Sequence, residues 1–278
     1  MKPLFKSKEG TIILDFSNVV FRASAVGGDY YVSRFCDMMI NYRKRFAFHK
    51  FVFAIEGRGT EQKRRIFSGY KAGRSYDPNV VECRKACLSL LKCTKCHIVK
   101  APKGEADDAI SCYLAIEQPK SAVIVSEDKD LWQLIKPGKY SVLSKRRGTV
   151  TPETVKSVMG IPPSKVPLHK AVFGDSSDGI PRVPRVPSKQ LLKLVQDSSS
   201  VKELLDKATE LKETSRERVL GCKTQIEMSF RLATLCSDLS LIHREFEPSR
   251  KKLEARLKRH EVVLPKRDLE TFMRGARL

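Results

Sequence analysis

The stretch TIILDF, residues 11–16, decides the fold, because it is a short apolar run that contains a carboxylate near its end. Its length and its β-branched residues are typical of a buried strand. Three further runs have the same character: residues 50–55 (KFVFAI), 121–125 (SAVIV) and 140–143 (YSVL). Helical patterns lie between them, as at residues 31–45 and 106–116. The alternation predicts an α/β fold with a mostly parallel central sheet flanked by helices.

The composition describes a globular protein with a strong positive charge. Of 278 residues, 41% are hydrophobic and 31% are charged, and 53 Lys and Arg against 32 Asp and Glu give a net charge of +21. This excess is beyond what solubility requires and attracts polyphosphate, so we expect a nucleic-acid partner. No apolar run of about 18 residues could span a membrane, and MKPLFKSKEG (1–10) lacks a secretory signal. We expect a cytoplasmic monomer (in the host cytoplasm if the source is viral) with reduced cysteines.

The pattern of the sequence changes near residue 151, from alternating strands and helices to a mainly helical pattern. Thr151-Pro152-Glu153 combines a capping hydroxyl, a proline and an early acid, which predict a helix start. Prolines and a glycine-bounded turn at 174–179 follow, and from Ser188 onward the pattern is helical nearly to the end. We therefore predict an α/β domain at residues 1–150 and a mainly helical region at residues 151–278.

Ligands of a parallel sheet bind beyond the carboxyl ends of its strands, and Asp15, Glu56, Asp128 and Asp130 lie at or just after predicted strand ends. Glu105, Asp107 and Asp108 open a predicted helix, and Asp175 and Asp178 lie in the glycine-bounded turn. So many carboxylates can share a pocket only if cations neutralise them, and oxygen ligands select Mg²⁺ or Mn²⁺. Two such ions about 4 Å apart are a common device for in-line attack on a phosphodiester.

Simpler interpretations of these residues stay open. Residues 174–179 could form an ordinary polar turn, and acids at 105–108 would complement the dipole of a helix that starts there. Asp107 lies about 200° round an ideal helix from Glu105, so their side chains converge only if the helix begins between them. Separately, Cys93-x-x-Cys96-His97 resembles half of a zinc site, but a second half at matching spacing is missing.

Six short motifs run in order along most of the chain. They are LDFSN (14–18) with FR (21–22), FAIEG (53–57), YKAGR (70–74), GEADD (104–108), SEDKDL (126–131) and GDSSDGIP (174–181). Together they resemble the 5′-nuclease superfamily: flap endonucleases, the nuclease domain of bacterial DNA polymerase I and, most closely, bacteriophage 5′-3′ exonucleases. The resemblance implies a PIN-like catalytic domain at residues 1–150 with a helical arch at about 58–97. It also implies a helix–hairpin–helix element at about 161–193 that grips duplex DNA, often with a bound K⁺.

The resemblance further implies a role for each matching residue. The first metal ion would be held by Asp15, Glu56, Glu105, Asp107 and Asp108, and the second by Asp128, Asp130, Asp175 and Asp178. Lys71 and Arg74 would be catalytic, because they would contact the scissile phosphate and stabilise charge that develops in the transition state. The residues expected to contact DNA are Arg22, Tyr70, Arg182, Arg185 and Lys189. Phe67, Tyr70 and Tyr76 could stack on bases.

Two parts of the sequence depart from the family pattern. Glu56 stands where the family has Asp, a ligand one methylene shorter. Arg182, Arg185 and Pro187 stand where the family's hairpin is rich in glycine. We expect side-chain charge to replace close approach of the backbone to phosphate at this hairpin.

The function that the resemblance implies is a metal-dependent 5′-3′ exonuclease and structure-specific 5′-flap endonuclease with a two-metal mechanism. Its substrate would be DNA with 5′ ends or flaps, and the RNA of RNA–DNA hybrids, as in primer removal, is a further candidate. Two alternatives stay open: a non-catalytic structure-specific DNA-binding protein that retains the fold, and a PIN-type ribonuclease. The near-complete set of acids disfavours the first. The second is disfavoured because PIN domains are shorter and lack the element at 174–181.

Overall fold

The structure, a computed structural model, describes residues 10–25, 30–46, 50–75 and 77–274. Tyr76, one of the predicted base-stacking residues, lies outside these ranges. The chain forms two compact units. The first unit comprises Met1–Gly57, Ser75–Glu127 and Ser237–Leu278, and the second comprises Arg58–Arg74 and Asp128–Cys236. Neither unit is one continuous stretch, and the division into domains at residues 1–150 and 151–278 stays a prediction.

Strands and helices alternate through the first half of the described chain. The strands are β1 (Thr11–Asp15), β2 (Lys50–Ala54), β3 (Cys96–Lys100), β4 (Ala122–Val125), β5 (Tyr140–Ser144), β6 (Gly148–Val150) and β7 (Ile242–Phe246). The helices are α1 (Phe16–Ser24), α2 (Tyr31–Arg45), α3 (Gly59–Ile66), α4 (Pro78–Leu91), α5 (Ala106–Glu117), α6 (Pro152–Met159), α7 (Val166–Phe173), α8 (Ser188–Asp197), α9 (Val201–Ala208), α10 (Glu213–Gly221), α11 (Lys223–Ala233), α12 (Arg250–Arg259) and α13 (Lys266–Arg274). Short 3₁₀ helices cover Asp130–Leu134 and Pro163–Lys165. None of the described helices combines the length and apolar character that a bilayer crossing requires.

Five strands of the first unit lie side by side in the order β4-β1-β2-β3-β7. Strand β1 pairs in parallel with β2 and β4, and β2 pairs in parallel with β3. The register places Asp15 beside Ala54 and Leu14 beside Val125, so that β1, β2 and β4 end at the same edge of the sheet. The helices α1 and α5 pack against these strands. The predicted α/β fold, a mostly parallel sheet flanked by helices, is confirmed.

Strand β7 departs from the sequence prediction, which has helix nearly throughout the C-terminal region. It pairs with β3 in antiparallel orientation, from Cys96 beside Phe246 to Lys100 beside Ile242. Its residues, IHREF, are exposed or half-buried. They form no apolar run of the kind that identifies the inner strands, as is usual for the edge of a sheet. The helix prediction is therefore wrong here, because pairing with β3 overrides the local pattern.

Helix α4 lies within the predicted arch, yet it belongs to the core of the first unit. Cys83, Cys87 and Leu90 on this helix are fully buried, and the helix packs against α1 and α2. Strand β3 begins five residues after the helix ends. Within the predicted arch, residues 78–91 thus form a buried helix, and residues 96–97 begin a strand of the sheet.

Cys93 and Cys96 are buried thiols in this structure. The Cys93 Sγ donates to the Ser89 carbonyl (3.7 Å), and the Cys96 Sγ donates to the Leu91 carbonyl (3.3 Å). Burial raises the pKa of Cys96 to about 11. The His97 ring lies against His243 of β7, with 3.1 Å between Nδ1 and Nε2. The thiols and the imidazole therefore have partners other than zinc.

The second unit is mainly helical. Helix α6 begins as the sequence predicts, because the Thr151 hydroxyl accepts a hydrogen bond from the Thr154 N–H in a reciprocal capping box. Strands β5 and β6 form an antiparallel pair. Helices α7 and α8 flank a connection at residues 174–187, and α11 packs along α7. The position predicted for a helix–hairpin–helix element thus contains two helices joined by a connection that includes the turn between Asp175 and Ile180.

Helix α13 contributes to the core of the first unit, although it lies near the end of the chain. Phe272 is fully buried, and its ring meets that of Phe35 on α2 edge to face with 6.3 Å between centroids. We expect Phe272→Ala to lower the free energy of unfolding by about 3–5 kcal/mol, measured by urea denaturation. Lys266→Ala, an exposed position on the same helix, should change it by less than about 0.5 kcal/mol. Equal stability of the two variants would show that α13 is not part of the core.

Candidate active site

The carboxylate of Asp15 lies at the point where β1 passes into α1. One oxygen accepts a hydrogen bond from the Asn18 N–H (3.1 Å), which caps the helix. The other accepts from the hydroxyl of Ser126, the residue that follows β4 (2.9 Å). Because the parallel register brings the ends of β1 and β4 together, a residue after one strand reaches the last residue of the other. Asp15 is therefore held in one position by two elements.

Glu56 follows β2, and its carboxylate lies between α1 and the start of α5. Its Oε1 accepts from the Ser17 hydroxyl (2.8 Å), and its Oε2 accepts from the N–H of Ala106, the first residue of α5 (3.0 Å). The neighbouring Gly57 packs so tightly that an added Cβ would lie 2.0 Å from the Ala101 carbonyl oxygen. The longer acid is thus fixed at both oxygens, between α1 and the start of α5.

Helix α5 begins between the acids of the GEADD motif. Glu105 is the N-cap residue, and its N–H donates to Asp108 Oδ2 (2.9 Å) in a capping box. Glu105 and Asp108 are 3% and 2% exposed, whereas Asp107 is half-buried and accepts from the Asp108 N–H (2.8 Å). The helix start meets the geometric condition for the three acids to converge. The capping interpretation also holds, because Glu105 and Asp108 satisfy backbone groups at the helix terminus.

The turn at 174–181 orients two further acids within the second unit. Asp175 and Ile180 exchange backbone hydrogen bonds of 2.8 Å, which close the turn. The Ser177 N–H and hydroxyl donate to Asp175 Oδ1 (2.8 and 2.6 Å). Burial raises the pKa of Asp175, but Lys170 and Ser177 outweigh burial, so the pKa is lowered overall. The segment is an ordered carboxylate turn.

Asp178 in this turn contacts the basic residues of the YKAGR motif. Its Oδ1 accepts from Arg74 (2.9 Å) and lies 3.9 Å from the Lys71 Nζ. A backbone hydrogen bond joins the same two residues, because the Lys71 N–H donates to the Asp178 carbonyl (3.0 Å). Burial raises the pKa of Asp178, against the opposing effect of the nearby cations, of which Lys71 is the strongest. Lys71 and Arg74 are therefore positioned by the carboxylate turn.

Asp128 and Asp130, which follow β4, are placed differently from each other. Asp128 is exposed, and its Oδ1 accepts from the Asp130 N–H (2.9 Å). Asp130 is 5% exposed, and its carboxylate contacts the ammonium of Lys170 on α7. Lys170 also contacts Asp175 Oδ2 (2.5 Å). Lys170 is not among the site residues predicted from the sequence, and it is buried. The signal that could have identified it is its position as the sole Lys or Arg in the helix VPLHKAVF.

The predicted acids thus fall into two groups, one in each unit. The first unit contains Asp15, Glu56, Glu105, Asp107 and Asp108, and the second contains Asp128, Asp130, Asp175 and Asp178. Among the described residues, no three His, Cys, Asp or Glu side chains are arranged to hold a metal ion. The assignment of these acids as metal ligands stays a prediction.

The predicted DNA-contacting residues differ in accessibility. Lys189 and Arg185 are exposed, and Arg22 is half-buried and donates to the Tyr42 hydroxyl (2.9 Å). Arg182 is exposed and lies 5.0 Å from the centroid of the Phe173 ring. Tyr70 is 1% exposed.

Tyr70 is a correction to the sequence prediction. Its ring packs in a core cluster with Ile180, Leu232 and Ala233, and Phe67 packs against the same cluster. Its hydroxyl lies within 3.4 Å of Asp178 Oδ2. The buried ring has no face open to a base, so stacking by Tyr70 is wrong for this structure. Its place in the motif is explained by packing under the carboxylate turn.

Comparison with known protein families identifies the chain. A model described as the 5′-3′ exonuclease N-terminal resolvase-like domain matches residues 12–160. A second, described as the 5′-3′ exonuclease C-terminal SAM fold, matches residues 161–256. The chain belongs to the 5′-3′ exonuclease family. The resemblance that the six motifs indicated is confirmed.

Individual members of the 5′-3′ exonuclease family show how far the similarity extends. The thermostable DNA polymerase I of Thermus aquaticus is 26% identical over 276 residues, which cover 94% of this chain and 33% of the polymerase. The 5′-3′ exonuclease of Aquifex aeolicus is 25% identical over 251 residues, which cover 87% of this chain and 86% of that protein. The chain therefore spans about a third of the polymerase and most of the Aquifex protein.

Solved structures share the fold of this family member. A bacteriophage T5 flap endonuclease, crystallised as a product complex with DNA and metal ions, superposes with a TM-score of 0.70 at 17% identity. That match covers 81% of this chain and 89% of the phage chain. Human GEN1 in complex with Holliday junction DNA gives a TM-score of 0.64 at 18% identity, over 94% of this chain and 70% of GEN1. These likenesses establish the fold.

The backbone contact between the YKAGR motif and the carboxylate turn can be tested at Gly179. Its φ is +72°, and an added Cβ would lie 2.5 Å from the Gly69 carbonyl oxygen. Gly138 has a φ of +68° but nothing within 4 Å of such a Cβ, so it controls for the backbone conformation alone. We expect Gly138→Ala to lower the free energy of unfolding by about 1 kcal/mol and Gly179→Ala to lower it by at least about 1 kcal/mol more.

A second measurement locates the effect of Gly179→Ala. The Lys71 N–H, which donates to Asp178, should exchange with solvent faster in this variant than in Gly138→Ala, because the added methyl group separates the two segments. Equal exchange at Lys71 in both variants would contradict the tight contact.

Proposed function

We propose that this protein is a 5′-3′ exonuclease and structure-specific 5′-flap endonuclease that hydrolyses DNA phosphodiesters with two or more Mg²⁺ or Mn²⁺ ions. The observation that carries the proposal is the contact of Asp178 with Lys71 and Arg74. A carboxylate suited to a metal ion and two cations suited to a phosphate are held side by side. Membership of the 5′-3′ exonuclease family supports the same reaction.

The acids fit divalent metal ions through the chemistry of their donors. Mg²⁺ and Mn²⁺ prefer carboxylate oxygens, and Asp130 and Asp175 already direct their carboxylates at one cation, the Lys170 ammonium. One ion would be held in the first unit by Asp15, Glu56, Glu105, Asp107 and Asp108. Another would be held in the second unit by Asp128, Asp130, Asp175 and Asp178. Such ions, when bound, make water more acidic and neutralise charge on the attacked phosphate.

Lys71 and Arg74 would bind the phosphate that is cleaved. The side chain of Arg74 is 54% exposed and can reach an incoming strand, whereas that of Lys71 is 13% exposed and is held by the turn. Lys71 has a φ of 51°, a left-handed conformation that its backbone hydrogen bond to Asp178 supports. Because these cations are positioned before substrate arrives, they can stabilise developing negative charge with little rearrangement. Phosphate would replace Asp178 as their partner.

DNA is the proposed substrate. The net charge of +21 favours polyphosphate, and structural relatives were crystallised with DNA, the phage flap endonuclease also with metal ions. The RNA of RNA–DNA hybrids is a further candidate, and K⁺ at the hairpin, a monomeric state and a cytoplasmic location stay predictions. A non-catalytic DNA-binding protein and a PIN-type ribonuclease are less well supported, because exonuclease family models match both parts of the chain.

The proposed activity is tested by cleavage of 5′-labelled flap, nicked and blunt DNA in Mg²⁺, with Asp15→Asn as the decisive variant. Asparagine can keep both hydrogen bonds of Asp15, since its oxygen can accept from Asn18 and the Ser126 hydroxyl can accept from its amide. It removes only the negative charge. We expect the single-turnover rate to fall by roughly 10² or more, the order seen when one electrostatic group of an active site is lost.

Asp206→Asn on α9, an exposed position, is the matched control and should cleave at the wild-type rate. The proposal fails if the wild-type chain releases no labelled product in Mg²⁺ or Mn²⁺. Full activity of Asp15→Asn would remove Asp15 from the metal site.

The role of the hairpin is tested by the salt dependence of DNA binding. Lys189 is exposed in the first turn of α8, where a side-chain cation can meet duplex phosphate. We expect Lys189→Ala to reduce the slope of log K against log salt by about 0.9 on duplex DNA, the value for one lost phosphate contact. Lys202→Ala, an exposed lysine on α9, should leave the slope unchanged. Equal slopes for the two variants would place the duplex elsewhere.

A further inference from the structure

Lys170 is a buried cation among the acids of the second unit. The residue is 6% exposed and lies on the mostly apolar helix α7. Its ammonium contacts Asp130 in the 3₁₀ helix Asp130–Leu134 and Asp175 in the carboxylate turn, the latter at 2.5 Å. One amine thus joins three separate segments at a place where acids were expected to surround a metal ion.

The burial of this amine requires both carboxylates. An ammonium removed from water is strongly destabilised unless anions replace its hydration shell. Asp130 and Asp175 supply two such anions, and the Lys170 side chain is only 8% exposed. In return, the ammonium neutralises Asp130, which is itself 5% exposed. The cluster is balanced as long as one positive charge occupies it.

The chemistry of lysine allows this charge to be exchanged. The ammonium is compact and sits at the end of a flexible four-carbon chain, unlike the planar guanidinium of arginine. Asp130 Oδ1 is enclosed by protein atoms and lies against the ammonium. The contact joins two full charges and is therefore mainly electrostatic. A divalent ion offers the same oxygens a larger charge.

We propose that Lys170 is a built-in counter-ion, which compensates Asp130 and Asp175 when no divalent ion is bound and competes with such an ion for them. This inference rests on the proposed function, in which these acids bind metal. Lys170 withdraws when the ion enters, so the second unit binds its ion more weakly than the carboxylates alone would. Lys170 thereby sets the concentration of Mg²⁺ or Mn²⁺ at which the second unit becomes loaded.

The test is a Mn²⁺ titration of the full chain without DNA, followed by the electron paramagnetic resonance signal of free Mn²⁺. Lys170→Met keeps the length of the side chain and removes its charge. Lys156→Met removes one exposed lysine from α6 and controls for the change in net charge. We expect Lys170→Met to bind Mn²⁺ at its weaker sites about tenfold more tightly than the wild-type chain, and Lys156→Met to match the wild type.

Thermal unfolding of the same variants gives an independent readout. Without metal, Lys170→Met should melt at a lower temperature than the wild type, because two buried carboxylates lose their counter-ion. Saturating Mn²⁺ should restore most of the difference, since the ion replaces the missing charge. Lys170→Arg retains the charge and should bind Mn²⁺ no more tightly than the wild type.

The possible outcomes separate this inference from the proposed function. Equal or weaker Mn²⁺ binding by folded Lys170→Met would mean that Lys170 is only a structural ion-pair partner. A Lys170→Met chain that stays unfolded at saturating Mn²⁺ would also contradict the inference, because there the ion should substitute for the amine. Absence of Mn²⁺ binding by the wild type and by every variant would contradict both the inference and the metal dependence of the proposed function.

Discussion

The carboxylate of Asp15 joins three elements of the first unit through two hydrogen bonds. It caps α1 through the Asn18 N–H and holds the Ser126 hydroxyl at the end of β4. Because β1 is flanked by β2 and β4, the hydrogen bonds that hold the end of β1 also hold the edge of the sheet from which Glu56 emerges. Glu56 in turn positions the start of α5, since it accepts a hydrogen bond from the Ala106 N–H. Hydroxyl and backbone donors thus orient these acids.

In the second unit, three of the acids form ion pairs. Asp130 and Asp175 contact one lysine, and Asp178 contacts a lysine and an arginine. A hydrogen bond from a hydroxyl leaves the charge of a carboxylate in place, whereas an ion pair largely cancels it. The carboxylates of Asp130, Asp175 and Asp178 are therefore already compensated by cations of this chain, with which a metal ion would have to compete.

The sequence predicts the features of this protein that depend on local patterns. The inner strands β1, β2 and β4 are apolar runs, and parallel pairing then requires Asp15 and Glu56 to emerge at one edge. The six motifs, which each lie within a few residues, identify the family. The features that escape prediction depend on distant partners. Strand β7 is polar and forms only because β3 offers an edge, and Tyr70 is buried only because α11 and the carboxylate turn cover it. Nothing near Lys170 in the sequence predicts its burial, because its two partners, Asp130 and Asp175, come from other segments of the chain.

The pairing of β3 with β7 has a consequence for how the protein is made. His97 and His243, which touch across this pair, are 146 residues apart in the chain. The sheet of the first unit therefore stays one strand short until residues 242–246 have left the ribosome. During that interval β3 presents an open edge, and such an edge can recruit strands from other nascent molecules. A fragment that stops at residue 236 would lack β7 as well as the buried helix α13, so it would keep that edge open for association with other molecules.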